Sequence, residues 1–208
     1  MSTKEMKIQW HAGFCAAMQL EFIDEKDNLT YETEHTLNTK PLQIDMLIVK
    51  KNKNVKLSKA IGAIFKGHNL VEFKSPRDHM NIDTYFKVIG YASLYKSYGA
   101  TVDEIKSDDI TLTFVRERKP RKLFSDLEKK YGCKVDKFSD GIYYVQGAAY
   151  FLTQVIVTEE LPLSENVWLH SLTDRADGEV VRSLIESVET VEVKGDRNLA
   201  ESVLEVVV

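Results

Sequence analysis

Cysteine is scarce in this chain, and its scarcity excludes two kinds of stabilisation. Among 208 residues only Cys15 and Cys133 are cysteines. They lie far apart in dissimilar contexts, so they provide neither a disulfide framework nor the paired spacing of a zinc site. Such sparse use of cysteine is typical of a reducing compartment. We therefore expect a cytoplasmic protein.

Long apolar runs are also missing. No run approaches the roughly 18 residues that a membrane-spanning helix needs, and residues 1–9 are polar, unlike an export signal. Internal repeats and low-complexity linkers are absent from the sequence. With 43% hydrophobic and 29% charged residues, the composition predicts a soluble globular protein with no membrane association. We expect residues 1–208 to form a single domain.

A net positive charge is missing as well. The formal charge is −4, which argues against non-specific binding of nucleic acid by the whole surface, so a nucleic-acid site must depend on a local basic patch. One patch is the stretch 116–122, in which five of seven residues are basic. A solvated surface is the simpler interpretation, and a phosphate-binding surface is the functional one. Its basic residues are Arg116, Arg118, Lys119, Arg121 and Lys122.

The most informative stretch that is present covers residues 69–76. Its apolar residues form a compact run that ends at Ser75-Pro76, which predicts a buried strand. Glu72 and Lys74 lie inside this run. Being two residues apart, they leave a pleated strand from the same face. Burying both costs several kcal/mol, on the order expected for charged groups, unless each is paired or bound to an ion.

The spacing of an acid and a lysine two residues later is not specific by itself. It occurs seven times in this chain, starting at Glu5, Asp24, Glu72, Glu104, Glu117, Glu128 and Glu192. Only the occurrences at Glu72 and Glu192 lie in strand-like runs. Only Glu72 follows another predicted strand with one isolated acid, Asp45 in the run 42–49. Context therefore singles out Asp45, Glu72 and Lys74.

Hydrophobic periodicity predicts an α/β fold with a central mixed sheet flanked by helices. Asp78 or Asn81 is expected to cap the start of the helix at 81–98, Gly99 to end it, and Asp140-Gly141 to form a hairpin turn. Residues 190–194 are compatible with either helix or strand. The predicted helices are 9–22, 81–98, 123–131 and two or three segments after 165, and the predicted strands are 29–37, 42–49, 70–74, 110–115, 134–138, 141–145 and 151–157.

An acid on one strand and an acid-x-lysine on its neighbour can converge at one end of a sheet. Asp45 and Glu72 would then suit Mg²⁺ or Mn²⁺, since these hard cations prefer oxygen ligands. Lys74 beside a metal-bound water could orient that water or stabilise charge during attack on phosphorus. The alternative is a structural ion pair of Glu72 with Lys74, with Asp45 capping a turn.

At these residues the chain resembles a known group. Pro41-x3-Asp45 followed by Glu72-x-Lys74, in this order of elements, is similar to the PD-(D/E)XK nuclease superfamily, which includes restriction endonucleases, RecB-type nucleases and recombination-promoting nucleases of bacteria. The resemblance covers residues 9–118 and leaves 119–208 as a C-terminal extension packed on that core. It implies a restriction endonuclease-like fold and a metal-dependent nuclease, with DNA as the expected substrate.

The resemblance also implies roles for single residues. Asp45, Glu72 and the Phe73 carbonyl would bind the cation, and Lys74 would position the nucleophilic water. Members often add an acid from the first helix, for which Glu21 is the candidate and Glu34, on the next strand, the rival. A solvated helix end is the alternative for Glu21.

Many members also carry a glutamine and a tyrosine four residues apart on the helix after the lysine strand. This chain has Lys87-x3-Tyr91 there. The resemblance therefore implies a catalytic role for Tyr91 and a phosphate contact for Lys87. A core position is the alternative for Tyr91.

Two further interpretations concern partners and ligands. The chain could be a catalytically inactive nuclease-fold module that binds nucleic acid or a protein, and its apolar end at 203–208 could pack against another subunit in a homodimer. The histidines lack zinc-like spacing, so we expect surface or hydrogen-bonded roles for His11, His35, His68 and His79.

Overall fold

The computed structural model describes residues 10–34, 43–52, 54–147 and 150–207; residues 1–9, His35, Pro41, Leu42 and Val208, which the sequence analysis used, lie outside these ranges. Within them no helix is both long enough and apolar enough to span a membrane. The helices are α1 Trp10–Glu21, α2 Ile82–Lys96, α3 Arg121–Tyr131, α4 Val167–His170, α5 Gly178–Thr190 and α6 Lys194–Val207, and the strands are β1 Leu29–Thr33, β2 Met46–Lys50, β3 His68–Lys74, β4 Ile110–Arg116, β5 Lys134–Ser139, β6 Ile142–Gln146 and β7 Leu152–Val157.

The seven strands form one mixed sheet in the order β1-β2-β3-β4-β7-β6-β5. The first three strands pair antiparallel, whereas β3, β4 and β7 run parallel. A β5–β6 hairpin completes the far edge, with β6 antiparallel to β7. The predicted mixed sheet flanked by helices is confirmed, and residues after 118 supply three of its strands.

Helices cover both faces of the sheet and create two apolar cores. On one face, α1, α4, α5 and α6 pack on the sheet, and the rings of Phe14 and Phe73 stack with centroids 4.5 Å apart. On the other face, α2 and α3 pack on the sheet, and the rings of Tyr85 and Phe114 stack at 5.3 Å. Burial of these aromatic rings is a large favourable contribution to folding.

Strand β3 contributes to both cores because its side chains alternate between the two faces. Val71 and Phe73 belong to the α1 core, and Leu70 belongs to the α2 core. Glu72 and Lys74 share the side of Leu70. The two charged side chains therefore leave the sheet beneath α2, as their spacing predicts.

Local turn signals fix several boundaries. The Asn81 side chain accepts a hydrogen bond from the Thr84 N–H at 3.0 Å and caps α2. Gly132 ends α3 with a φ of 64°, and Gly141 takes a φ of 72° between β5 and β6. Glycine adopts this left-handed conformation without steric strain. The predicted cap at Asn81 and the predicted turn at Asp140-Gly141 are confirmed.

Several predictions of where elements begin and end are wrong. Strand β2 begins at Met46, so Asp45 precedes the strand instead of lying inside it. Helix α2 ends at Lys96, before the predicted stop at Gly99. Residues 191–193 form the connection between α5 and α6, so the strand alternative for 190–194 does not hold.

The apolar C-terminal segment has a partner within the chain. Helix α6 packs against α1, and both Val203 and Val206 are buried there. A Cβ atom at Gly13 would overlap the Val206 side chain, so glycine at this position permits the close approach of the two helices. Val203 and Val206, two residues of the segment that suggested a dimer surface, are thus used for intramolecular packing.

Candidate active site

Asp45 lies just before β2 and binds the backbone of β3. In the antiparallel register Met46 pairs with Val71, which places Asp45 opposite Glu72. The Asp45 Oδ2 atom accepts a hydrogen bond from the Phe73 N–H at 2.7 Å, so its carboxylate replaces a backbone acceptor of the ladder. A strand residue directs its N–H and C=O to the same side. The Phe73 carbonyl therefore leaves β3 on the side of Asp45.

The Glu72 carboxylate is buried, with 1% of the residue exposed. Its Oε1 atom accepts hydrogen bonds from Lys74 Nζ at 2.9 Å and from Lys87 Nζ at 2.7 Å. The Oε2 atom is also buried and has no hydrogen-bond partner among the described residues. An unsatisfied buried acceptor costs about 1–3 kcal/mol, and more when it is charged. This oxygen is therefore suited to a cation.

Helix α2 brings a second lysine to the same carboxylate. Lys87 and Tyr91 lie one turn apart on this helix, and Lys87 Nζ lies 5.4 Å from the centroid of the Tyr91 ring. The Lys87 side chain remains 41% exposed. The structure thus brings Lys87 to Glu72, with the Tyr91 ring beside its ammonium group. The phosphate contact of Lys87 and the catalytic role of Tyr91 stay predictions.

The two carboxylates influence each other electrostatically. Burial raises the pKa of Asp45, and the neighbouring Glu72 carboxylate raises it further. The Phe73 N–H, His11 and Lys74 act in the opposite direction without cancelling this shift. Burial alone would lower the pKa of Lys87, but its hydrogen bond to Glu72 and the charge of that carboxylate raise it overall. Perturbed pKa values in partly buried positions are frequent at functional sites.

Glu21 does not join this cluster. Its residue is 1% exposed, and its carboxylate accepts the Leu169 N–H at 3.0 Å and pairs with Lys59 Nζ at 3.1 Å. Burial raises the pKa of Glu21. The start of α1, at His11, contacts Asp45, and Glu21 lies ten residues further along, about 15 Å at 1.5 Å per residue. Glu21 therefore links α1 to α4 and lies away from the paired acids.

The beginning of α1 supplies neighbours of Asp45 that the sequence analysis did not assign to the site. His11 Nδ1 lies 3.4 Å from Asp45 Oδ1. His11 and Asp45 line a cleft of about 240 Å³ together with Cys15, Thr33 and Glu34. Glu34 has a φ of 51°, and its N–H donates to the Asp45 carbonyl at 3.1 Å. The sequence signal that could have identified these neighbours of Asp45 is the spacing of His11 and Cys15, which lie four residues apart on one helix face.

Part of the basic stretch continues the candidate site along the edge of the sheet. Arg116 pairs with Lys74 in the parallel β3–β4 register, so both side chains leave the same face. The Arg116 Nε atom is buried and has no hydrogen-bond partner in the described part of the chain. Arg121 and Lys122 are exposed in the first turn of α3. Basic residues at a helix N-terminus are unfavourable for the helix dipole. Since Arg121 and Lys122 are also exposed, neither helix stability nor core packing explains why these residues are basic.

The remaining two basic residues of the stretch have local partners. Arg118 Nε lies 3.6 Å from the carboxylate of Glu117. Lys119 Nζ donates to the Tyr143 hydroxyl at 3.1 Å and lies 4.3 Å from the centroid of that ring. Lys119 is therefore held by the β6 surface.

Groups of three or more His, Cys, Asp or Glu residues arranged to hold a metal are not found in the described ranges. His68 Nδ1 lies 2.8 Å from the Tyr95 hydroxyl, His79 is exposed, and His35 is outside the described residues. The carboxylates of Asp45 and Glu72 remain as paired acids. This donor set fits Mg²⁺, which is usually bound through one or two carboxylates and keeps several waters.

Comparison with protein-family models, with curated proteins and with solved structures finds no significant match to this chain. Functional assignment therefore depends on the side-chain geometry described above.

Proposed function

We propose that this chain is a divalent-metal-dependent nuclease that hydrolyses phosphodiester bonds of DNA and has the restriction endonuclease-like fold of the PD-(D/E)XK superfamily. The observation that carries the proposal is that Asp45 lies opposite Glu72 in the β2–β3 register and that Glu72 and Lys74 are near enough to Asp45 to act on its carboxylate electrostatically. Asp45 binds the β3 backbone at 2.7 Å, Lys74 Nζ lies 2.9 Å from Glu72, and Glu72 Oε2 is buried without a partner among the described residues.

The order of elements supports the same proposal. Helix α1 is followed by the antiparallel strands β1, β2 and β3, then by α2 and by β4 parallel to β3. This is the helix, three strands, helix and strand order on which the resemblance depends. Of the two acids, Glu72 lies in β3 and Asp45 directly precedes β2, the strand that neighbours β3.

Each residue of the cluster has a role in this proposal. Asp45, Glu72 and the Phe73 carbonyl would hold Mg²⁺ or Mn²⁺. A bound ion of this kind lowers the pKa of its water and stabilises negative charge on a phosphate. Lys74 lies beside Glu72, where its ammonium group can donate a hydrogen bond to the attacking water and stabilise the charge that develops on the phosphate.

The DNA backbone would lie along the edge that carries the basic residues. Arg116 is in register with Lys74, and Arg121 and Lys122 extend the positive surface to α3. Phosphate contacts of this kind position a duplex without reading its sequence. The formal charge of −4 makes such a localised surface necessary, because the protein as a whole would repel DNA.

Cleavage of mixed DNA substrates in Mg²⁺ or Mn²⁺ tests the proposal. We expect Asp45→Asn, Glu72→Gln and Lys74→Met each to reduce the rate by about 10²–10³-fold, the usual effect of removing a group that stabilises transition-state charge. Lys96→Gln is the matched control, since Lys96, at the end of α2, pairs with Asp103 in the following loop. If the three variants cleave DNA as fast as the wild type does, the proposal is wrong.

A second candidate function is a nuclease-fold module that binds nucleic acid without cleaving it. The observation that favours it is that both Lys74 and Lys87 contact Glu72 Oε1, so the carboxylate already has two positive neighbours. Titration calorimetry with Mn²⁺ separates the two functions. The module predicts no heat of binding that depends on Asp45, whereas the nuclease predicts such heat.

A further inference from the structure

Lys87 binds one oxygen of the Glu72 carboxylate, so its ammonium group would lie beside a cation bound at the other oxygen, Oε2. Its Nζ atom lies 2.7 Å from Glu72 Oε1, closer than Lys74 Nζ at 2.9 Å. Lys74 is held by β3 itself and its side chain is 20% exposed, whereas Lys87 reaches down from α2 with a side chain that is 41% exposed. A lysine ammonium on a flexible four-carbon stem can move several ångströms without a change in the helix. Of the two lysines, Lys87 is the one free to leave.

The contact between Lys87 and Glu72 depends on the charges around it. Asp45 and Glu72 carry two formal negative charges, and Lys74 and Lys87 balance them. A divalent cation bound to the same carboxylates adds two positive charges beside both ammonium groups, and at separations of a few ångströms like charges repel strongly when water is partly excluded. A phosphate beside the cluster would provide a new partner for the displaced ammonium.

We propose that Lys87 is a positioning residue that exchanges between Glu72 and a substrate phosphate and thereby couples cation binding to DNA binding. This inference depends on the proposed nuclease function. Without a cation, Lys87 neutralises Glu72 and is withheld from DNA. When a cation takes Glu72, Lys87 turns to the exposed side of α2 and contacts the phosphate backbone. The Tyr91 ring, 5.4 Å from the ammonium group, stays beside Lys87 on the same helix.

Coupling of this kind must be reciprocal. If DNA tightens cation binding by some factor, the cation tightens DNA binding by the same factor. Measured couplings between sites are about 5–150-fold, and we expect about tenfold here. If Lys87 exchanges between Glu72 and a phosphate, its removal should lower this coupling factor. If Lys87 instead stays at Glu72 when the cation binds, its removal should leave the coupling factor unchanged.

Titration calorimetry with Ca²⁺, with and without a short DNA duplex, measures this factor. Ca²⁺ shares the oxygen preference of Mg²⁺, and electrophoresis after each titration verifies that the duplex is intact. The variants are Lys87→Gln, which removes the charge, and Lys87→Arg, which keeps it. Lys96→Gln removes an equal charge from the same helix, away from the cluster. Thermal unfolding verifies that each variant is folded.

The expected result is about tenfold coupling in the wild type, retained in Lys87→Arg and Lys96→Gln and reduced to less than about threefold in Lys87→Gln. If Ca²⁺ binds in an Asp45-dependent manner but Lys87→Gln shows the same coupling as the wild type, the exchange is refuted while the proposed nuclease stands. If no binding of Ca²⁺ depends on Asp45, the proposed function fails and the exchange fails with it.

Discussion

Replacement of Asp45 by asparagine should stabilise the metal-free protein, although it removes a proposed metal ligand. The side chain is only 17% exposed, and burial together with the Glu72 carboxylate raises the pKa of Asp45. The charged form of Asp45 is therefore less favourable in the folded protein than in the unfolded chain. Asparagine has the same shape, carries no charge, and keeps an oxygen that can accept the Phe73 N–H, now at 2.7 Å from Asp45.

The expected pH dependence follows from linkage between ionisation and folding. Because the charged carboxylate is disfavoured in the folded protein, we expect Asp45→Asn to raise the free energy of unfolding at pH 7 by about 1 kcal/mol, a common size for the effect of a single substitution. The stabilisation that wild-type Asp45 gains from protonation is fully present below the unfolded-state pKa of about 3.9 and is lost as the pH rises through the higher folded-state pKa. The advantage of the variant should therefore vanish near pH 3, an acidity at which about nine-tenths of unfolded aspartate is protonated.

Urea denaturation in a chelating buffer and in Mn²⁺ is the appropriate assay. A ligand at 100 times its dissociation constant stabilises a protein by about 2.7 kcal/mol. Saturating Mn²⁺ should therefore make the wild type more stable than Asp45→Asn and reverse the order seen in chelator. A structural role for Asp45 predicts a less stable variant in both buffers. That result at pH 7 would refute the reasoning.

Three other outcomes are expected. Glu21→Gln should leave the Mn²⁺ dissociation constant unchanged in calorimetry, because Glu21 contacts Lys59 and Leu169 away from the paired acids; a large loss of affinity would place Glu21 in the site. Gly132→Ala should lower the free energy of unfolding by about 1 kcal/mol in urea denaturation. Gly141→Ala should lower it clearly more, because its Cβ would lie 2.8 Å from backbone atoms. Equal decreases for the two variants would contradict the β5–β6 turn geometry. Asn69→Ala should cost about 2–4 kcal/mol by the same assay, since the buried Asn69 amide makes four hydrogen bonds that would be left unmade; a loss below about 0.5 kcal/mol would contradict that network.

Much of the fold could be predicted from the sequence, because local patterns and tertiary packing agree. Strands β3 and β4 are compact apolar runs, and the Asp140-Gly141 turn and the Asn81 cap have specific backbone requirements. The start of β2 could not be predicted. Its apolar run includes Ile44, which suggested an earlier start. The Asp45 side chain, however, accepts the Phe73 N–H that the backbone of a longer β2 would have bound. This hydrogen bond joins residues 28 positions apart, so a local pattern does not reveal it.

The candidate site, like the fold, could be predicted from the sequence only in part. Placement of Glu72 and Lys74 on one face follows from the two-residue period of a strand. The contact of Lys87 with Glu72 was not predicted, because it depends on how α2 packs over β3. The position of Glu21 does not follow, because α4, more than 140 residues later, supplies its Leu169 N–H partner. The contact of His11 with Asp45 depends on how α1 crosses the sheet, which hydrophobic periodicity alone does not determine.

The central claim is that Asp45 and Glu72 together hold a divalent cation. A crystal soaked in Mn²⁺ and measured for anomalous scattering tests it most directly. The account predicts a manganese peak bound by an oxygen of each carboxylate at about 2 Å, with Lys87 Nζ moved away from Glu72. A saturated crystal with no peak between these side chains, or with manganese bound only to other surface acids, would contradict it.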